Sequence, residues 1–181
     1  MTGACFVAKI GGKWGGGAMV YFAMERLDGR SGHAVGRQLL QRLYRENVGE
    51  VLPEIQETPL GKPFFATGAW HFSISHSQNH ACCALSDGPV GLDAEELTRR
   101  VNPALAKKIL SPGEKAQYDR AADQNRALLT FWVLKEAAGK RTGQGIGSHP
   151  THTNFMLTDS RVFEADGCLI ALLTQEENHA L

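Results

Sequence analysis

The chain lacks a run of apolar residues near the ~20 needed to cross a bilayer as a helix, so a membrane-spanning protein is not expected. It also lacks an excess of charge: 19 basic and 19 acidic side chains balance to a formal net charge of zero. A general nucleic-acid binder needs a basic surplus to neutralise phosphates, so that class is set aside. The N-terminus shows no basic segment followed by an unbroken apolar stretch, because Gly11-Gly12-Lys13 interrupts the nearest candidate. No secretory signal is read there, and a cytoplasmic protein is expected. The four cysteines, Cys5, Cys82, Cys83 and Cys168, have no zinc-type spacing. The adjacent Cys82 and Cys83 fit a strand with one thiol inward and one outward. No internal repeat or low-complexity segment stands out. The glycine-rich stretch from Gly11 to Gly17 reads as a flexible turn, and it is not a P-loop, since no Gly-Lys-Ser/Thr closes it onto a helix.

What remains is a chain of 181 residues, 43% apolar, able to bury one core or two small packed lobes. Ala4 to Ile10 reads as a first strand, and Ala18 to Met24 as a strand or the start of a helix. From Ser31 to Asn47, Val35, Leu39, Leu40 and Leu43 recur at helical spacing between arginines, which predicts an amphipathic helix. Pro53 to Gly68 reads as loop, including Gly61-Lys62-Pro63. Phe72 to Ser77 alternates apolar and polar, and Ala81 to Leu85 is apolar, so both are read as strands of one sheet. Asp87-Gly88 would turn the chain into a third strand, Val90 to Glu95, making a meander. Ser111-Pro112-Gly113-Glu114 carries a capping box with proline at the first helical position. A second helix is expected from about Arg126 to Lys140, ended by Gly143-Gln144-Gly145. Short strands are expected at Phe155–Leu157, Arg161–Glu164 and Cys168–Leu173.

Chemistry concentrates in two segments. Asp93 and Glu95, two apart on a strand, share a side and can converge on one cation. The plainer alternative is a solvent-facing acidic pair. Glu136 and Lys140 share a helix face at i and i+4, and their plainer alternative is a surface ion pair. Lys135 stands beside them. Ser75-His76-Ser77 is not read as a nucleophile and base, because strand neighbours point to opposite faces. His76 is either an anion donor or a solvent-facing side chain. Three carboxylates with two lysines suit a hard divalent cation and a diphosphate.

In order, Gly-Lys-Pro, Phe-Ser-Ile-Ser-His-Ser, Gly-Leu-Asp-Ala-Glu, Leu-Ser-Pro-Gly-Glu, Phe-Trp-Val-Leu-Lys-Glu-Ala-Ala-Gly-Lys and Gly-Gln-Gly-Ile resemble the 4′-phosphopantetheinyl transferases. The likeness runs from about Gly61 to Ile146, with a looser echo around Arg37, and is greatest to the longer members that activate carrier proteins. The resemblance implies an α+β fold of two similar lobes related by a pseudo-twofold axis, each a small antiparallel sheet with helices. Residues 1–88 and 89–181 would be the lobes, with coenzyme A in the cleft of a monomeric pseudo-dimer. It implies transfer of the phosphopantetheine arm of coenzyme A to a serine of an apo acyl or peptidyl carrier protein, with release of 3′,5′-ADP. Asp93, Glu95 and Glu136 would hold Mg2+, or Mn2+, and Lys135 and Lys140 would contact the phosphates. Glu136 and Lys140 would carry the catalysis. His76, Lys62 and Arg37 would surround the 3′-phosphate, with Arg30 competing for the last role, and Ser75 would lie beside the nucleotide. Gly139 departs from the bulky residue usual in the family and is expected to loosen the end of its helix. A coenzyme A-binding module without transfer activity and a magnesium-dependent phosphodiesterase are the alternatives.

Overall fold

The computed structural model describes residues 6–8, 17–147 and 150–174, with side chains from residue 17 onward. Most of the glycine-rich stretch and Cys5 lie outside the described residues, and of the expected Ala4–Ile10 strand only Phe6–Ala8 is described. Strands β1 (Phe6–Ala8), β2 (Val20–Arg26), β5 (His71–His76) and β6 (His80–Ser86) form an antiparallel sheet in the order β1-β2-β6-β5. A second sheet, ordered β7-β9-β8, joins Gly91–Glu96, Cys168–Leu173 and Val162–Ala165, and β3 (Ile55–Glu57) pairs with β4 (Pro63–Phe65) in a small hairpin. The helices are α1 (Gly32–Asn47), the short α2 (Ala106–Ile109), α3 (Pro112–Arg120) and α4 (Gln124–Thr142). No described helix is long and apolar enough to cross a membrane.

Local signals explain most boundaries. Ser31 caps α1 by accepting from the Ala34 amide. Ser111 and Glu114 form both halves of the capping box of α3, with Pro112 in its first turn. Asp123 caps α4, and Gly143 ends it in the left-handed conformation at φ 79°. Asp166 and Gly167, both at positive φ, form the tight turn between β8 and β9.

Three hydrophobic clusters stack the elements in the order helix, sheet, sheet, helix. Val35, Leu39, Leu40 and Leu43 of α1 pack against Ala23, Phe72, Cys83 and Leu85. Phe22, Met24, Cys82 and Ala84 on the opposite face meet Leu92, Ala94, Ile170 and Leu172 of the second sheet. Leu169, Ala171 and Leu173, on that sheet's far side, meet Leu128, Phe131 and Leu134 of α4. Because β6 is covered on both faces, every residue from His80 to Ser86 is buried. Cys82 and Cys83 do point to opposite faces, but both faces are interior, so neither thiol is outward as the sequence reading had it.

Other expectations need correction. β7 does not continue a meander with β5 and β6, because β6 already pairs with β2 on one side and β5 on the other. It pairs with β9 and lays its free edge beside that of β5. There Ser73 Oγ accepts from the Leu92 amide at 3.0 Å and Ser75 Oγ from the Ala94 amide at 3.3 Å. Two serine hydroxyls thus satisfy an edge that would otherwise bury unpaired donors. Residues 53–68, read as loop, contain the β3–β4 hairpin, whereas Phe155–Leu157 is not a strand.

Gly139 does not break α4, which continues through Thr142. A Cβ at this position would lie 2.2 Å from the Gly145 carbonyl oxygen, and the Gly143 and Gly145 amides both donate to the Gly139 carbonyl. The glycine admits the loop that folds back on the helix. Gly91 plays the same part between β7 and α4, where a Cβ would stand 1.9 Å from the Ala137 carbonyl oxygen. Gly91→Ala is expected to push β7 from α4 and destabilise the fold by about 1–3 kcal/mol, the usual cost of overpacking. Urea titration beside the wild type measures it.

Candidate functional site

Helix α4 presents Trp132, Glu136 and Lys140 as one stripe at i, i+4 and i+8. The strand facing it, β7, turns Asp93 and Glu95 toward that stripe while Leu92 and Ala94 enter the core between the sheets. The contacts fix the register. Lys140 Nζ donates to Asp93 Oδ1 at 2.7 Å, and Trp132 Nε1 donates to Glu95 Oε1 at 3.3 Å. Glu136 stands between these pairs, within electrostatic reach of Asp93, Lys140 and Arg99. Arg99 in turn pairs with Glu95.

Ser75 crosses from the first sheet to this group. Its hydroxyl donates to Asp93 Oδ1 at 2.8 Å and accepts from Lys140 Nζ at 2.9 Å, besides taking the Ala94 amide. One donor and two lone pairs are thereby all used. Ser75→Ala would bury the Ala94 amide without a partner, so a loss of about 1–3 kcal/mol is expected in chemical denaturation.

The electrostatics leave the site short of positive charge. Asp93 is 5% exposed, and its Oδ2 is buried without a hydrogen-bond partner among the described residues. Burial and the neighbouring Asp93 carboxylate raise the Glu136 pKa above the ordinary glutamate value, against the lowering by Lys140 and Arg99. An orphaned carboxylate oxygen beside a second carboxyl driven upward is a fit for a hard cation, and the donor set is all oxygen.

The structure distributes the other expected residues unevenly. Lys62 and Lys140 both line a cleft of about 260 Å³ that also includes Ser73 and Gly143. Lys62 Nζ donates to the Arg141 carbonyl, while burial and the Arg141 charge lower its pKa. His76 lies at the other end of β5, exposed, with its Cβ and Cγ packed against Gly32 at the start of α1. Arg37 is partly buried and makes no ion pair with another described residue. Its competitor Arg30 is held by Glu25 at 2.8 Å and by the Leu27 and Arg26 carbonyls.

Lys135 is the one that parts from the group. Its ammonium is 1% exposed and sits 2.9 Å from Glu114 Oε2, itself fully buried. It also donates to the carbonyls of Pro150 and Thr153 and to Thr153 Oγ1. Glu114 accepts from the Ser111 and Phe155 amides, so the two charges close a local network. The neighbour relation of Lys135 and Glu136 in sequence puts them on different sides of α4, about 100° apart around its axis. Four partners went unrecognised in the sequence: Arg99, Trp132, the Glu114–Lys135 pairing, and the contact of Ser75 with Asp93. Of these only Trp132 carried a signal, as the residue one turn before Glu136.

Asp93, Glu95, Glu136 and Lys140 thus meet between β7 and α4, beside a cleft that Lys140 also lines. Residues 89–180 match the profile of the 4′-phosphopantetheinyl transferase superfamily, and the chain belongs to that superfamily. It is 30% identical over 118 residues to the 4′-phosphopantetheinyl transferase psf-1 of Bacillus pumilus, covering 64% of this chain and 49% of the relative. To the 4′-phosphopantetheinyl transferase HetI of a Nostoc species it is 31% identical over 134 residues, 70% of this chain and 56% of the relative. To the 4′-phosphopantetheinyl transferase gsp of Aneurinibacillus migulanus it is 30% identical over 114 residues, 60% of this chain and 47% of the relative. The chain spans about half the length of these curated relatives.

Proposed function

We propose that the chain transfers the 4′-phosphopantetheine arm of coenzyme A to a serine of an apo acyl or peptidyl carrier protein. The products are the holo carrier and 3′,5′-ADP. Superfamily membership and the names of its relatives support the reaction class. The unpartnered Asp93 Oδ2 beside Glu136 and Lys140 is the observation that carries it to particular residues.

In this reading Asp93, Glu95 and Glu136 would hold Mg2+, or Mn2+. The cation supplies charge there that lowers repulsion toward an incoming oxygen. Lys140 offers its ammonium to the phosphates of coenzyme A, and Ser75 keeps Lys140 and Asp93 in register. The carrier hydroxyl oxygen bonds to the phosphorus bearing the pantetheine, and the bond from that phosphorus to the bridging oxygen breaks, so the electron pair leaves with 3′,5′-ADP. Glu136 takes the hydroxyl proton directly or through a water. Burial and Asp93 raise its pKa, which favours proton uptake. Lys62, His76 and Arg37 would receive the 3′-phosphate, which requires coenzyme A to reach from the Lys62 cleft toward the His76 end of β5. Lys135 serves the fold through Glu114.

The two-lobe division at residues 1–88 and 89–181, related by a pseudo-twofold axis in a monomer, belongs to the same proposal. The repetition of one long helix over one small antiparallel sheet, α1 in the first half and α4 in the second, supports it.

Intact-mass spectrometry of an apo acyl carrier protein incubated with the chain, coenzyme A and Mg2+ tests the reaction. The expected result is a gain of one phosphopantetheine, lost with a chelator. Release of 3′,5′-ADP without a carrier would instead indicate a phosphodiesterase. Coenzyme A binding with no transfer across acyl and peptidyl carriers would leave a binding module. Lys62→Ala is expected to weaken coenzyme A by roughly tenfold to a hundredfold, the worth of one charged hydrogen bond, and dephospho-coenzyme A far less. Calorimetry with both ligands checks this, and equal losses would take Lys62 away from the 3′-phosphate.

A further inference from the structure

A second group of ligand-type side chains lies outside the site described above. His80 at the start of β6, Glu96 at the end of β7 and Cys168 at the start of β9 meet between the two sheets. His80 Nδ1 is 3.0 Å from Glu96 Oε1 and 3.3 Å from Cys168 Sγ, and the three ligand atoms all lie within 4.8 Å of one another. Around a tetrahedral ion with bonds of about 2.0–2.3 Å, ligand atoms stand roughly 3.3–3.7 Å apart. Only small side-chain adjustments separate the observed spacing from such a shell.

The surroundings match what a metal-binding imidazole requires. The other ring nitrogen of His80, Nε2, lies 3.0 Å from Asp166 Oδ2, and Arg26 grips Asp166 with bonds of 2.8 and 2.5 Å. With an ion in place of the Nδ1 contact to Glu96 Oε1, the Asp166 carboxylate behind Nε2 would keep the hydrogen on that nitrogen and leave the Nδ1 lone pair for the ion. Ser77 Oγ donates to Glu96 Oε1 at 2.7 Å, and the Asn79 amide does so at 3.1 Å. These contacts hold the Glu96 carboxylate beside His80 and Cys168. Ser77 Oγ also lies 3.9 Å from Cys168 Sγ. His80 is 3% exposed and Cys168 fully buried, while Glu96, at 13%, marks the side from which an ion enters.

We propose that His80, Glu96 and Cys168 form a transition-metal site of zinc type that ties β6, β7 and β9 together. The thiolate, imidazole and carboxylate set disfavours magnesium, which prefers oxygen alone. Glu95 and Glu96 are strand neighbours and point to opposite faces, so this site and the Asp93–Glu136 group are separate. The proposal does not rest on the transferase reading.

Cobalt is the probe. The full-length chain, stripped with chelator and kept under thiol reductant, is titrated with Co2+ and followed by absorption. One equivalent is expected to give a thiolate-to-cobalt charge-transfer band and the strong visible bands of tetrahedral cobalt. Zn2+ should displace it, and excess Mg2+ should not. Cys168→Ala should abolish the band, whereas Asp93→Asn should leave it intact. Asp166→Asn, which removes no ligand, should weaken Co2+ binding by about 10–100-fold with circular dichroism unchanged. Absence of a thiolate band in the wild type overturns the proposal and leaves His80 as an ion-paired clasp between Glu96 and Asp166. A band surviving in folded Cys168→Ala overturns it equally, by placing the ion on another cysteine.

Discussion

Asp93→Asn is expected to lower the rate of phosphopantetheine transfer by at least about a hundredfold, the scale seen when one electrostatic partner of a transferring group is removed. The amide keeps the shape of the side chain and can still accept from Ser75 and Lys140. What it loses is the negative charge, which includes an oxygen that no described residue satisfies. If that oxygen serves a cation, the variant also needs more Mg2+ to reach its residual rate, and a rate-against-Mg2+ titration measures both effects. Near-normal turnover would remove Asp93 from the site. Glu136→Gln should lose transfer as well, with a separate signature in stability. The folded state raises the Glu136 pKa through burial and Asp93. Above that raised value the folded protein bears a penalty for the ionised carboxylate. The penalty fades as pH falls toward the ordinary glutamate value, because the folded state takes up the proton first. In chelator, Glu136→Gln is therefore expected to melt higher than the wild type at neutral pH, with the gap closing in acid.

The second large effect concerns Lys135, and it falls on the fold. Lys135→Met leaves the buried Glu114 without its ionic partner, a change that costs about 3–5 kcal/mol in comparable buried pairs. Urea denaturation should show that loss while the coenzyme A affinity of the folded fraction stays near the wild-type value. Replacing both partners, as Glu114→Gln with Lys135→Met, should recover part of it, because no uncompensated charge then remains. Full stability with lost affinity in Lys135→Met would return this lysine to the phosphates. The distinction matters because Lys135 and Glu136 are neighbours in sequence. One closes a network among α3, α4 and the 150–155 segment, while the other faces β7.

Much of the local structure was legible because its causes are local. The α1 stripe of Val35, Leu39, Leu40 and Leu43, the Ser111–Glu114 capping box, the Asp166-Gly167 turn and the Gly143 cap each depend on residues within a few positions of one another. The α4 stripe was legible in the same way, since Glu136 and Lys140 share a face whatever packs against it. Gly139 was legible only as an irregularity. At Gly139 the expected weakness is a close approach by Gly145, which depends on a loop folding back from beyond the helix.

The sequence alone determined which residue types stand at which spacing, and hence the helices, the tight turns and a set of carboxylates and lysines able to share one face. Tertiary structure decided the partners. β7 found β9 because both edges of β6 were already taken, Cys83 and Cys82 both became interior because sheets and helices cover β6 on each side, and Lys135 turned to Glu114. It also brought His80, Glu96 and Cys168 together from three strands, a grouping that cysteine spacing could not reveal. The physical reason is range. Helical and strand periods are set by neighbouring backbone geometry, whereas edge pairing and buried charge are settled by which distant surface remains free to satisfy them.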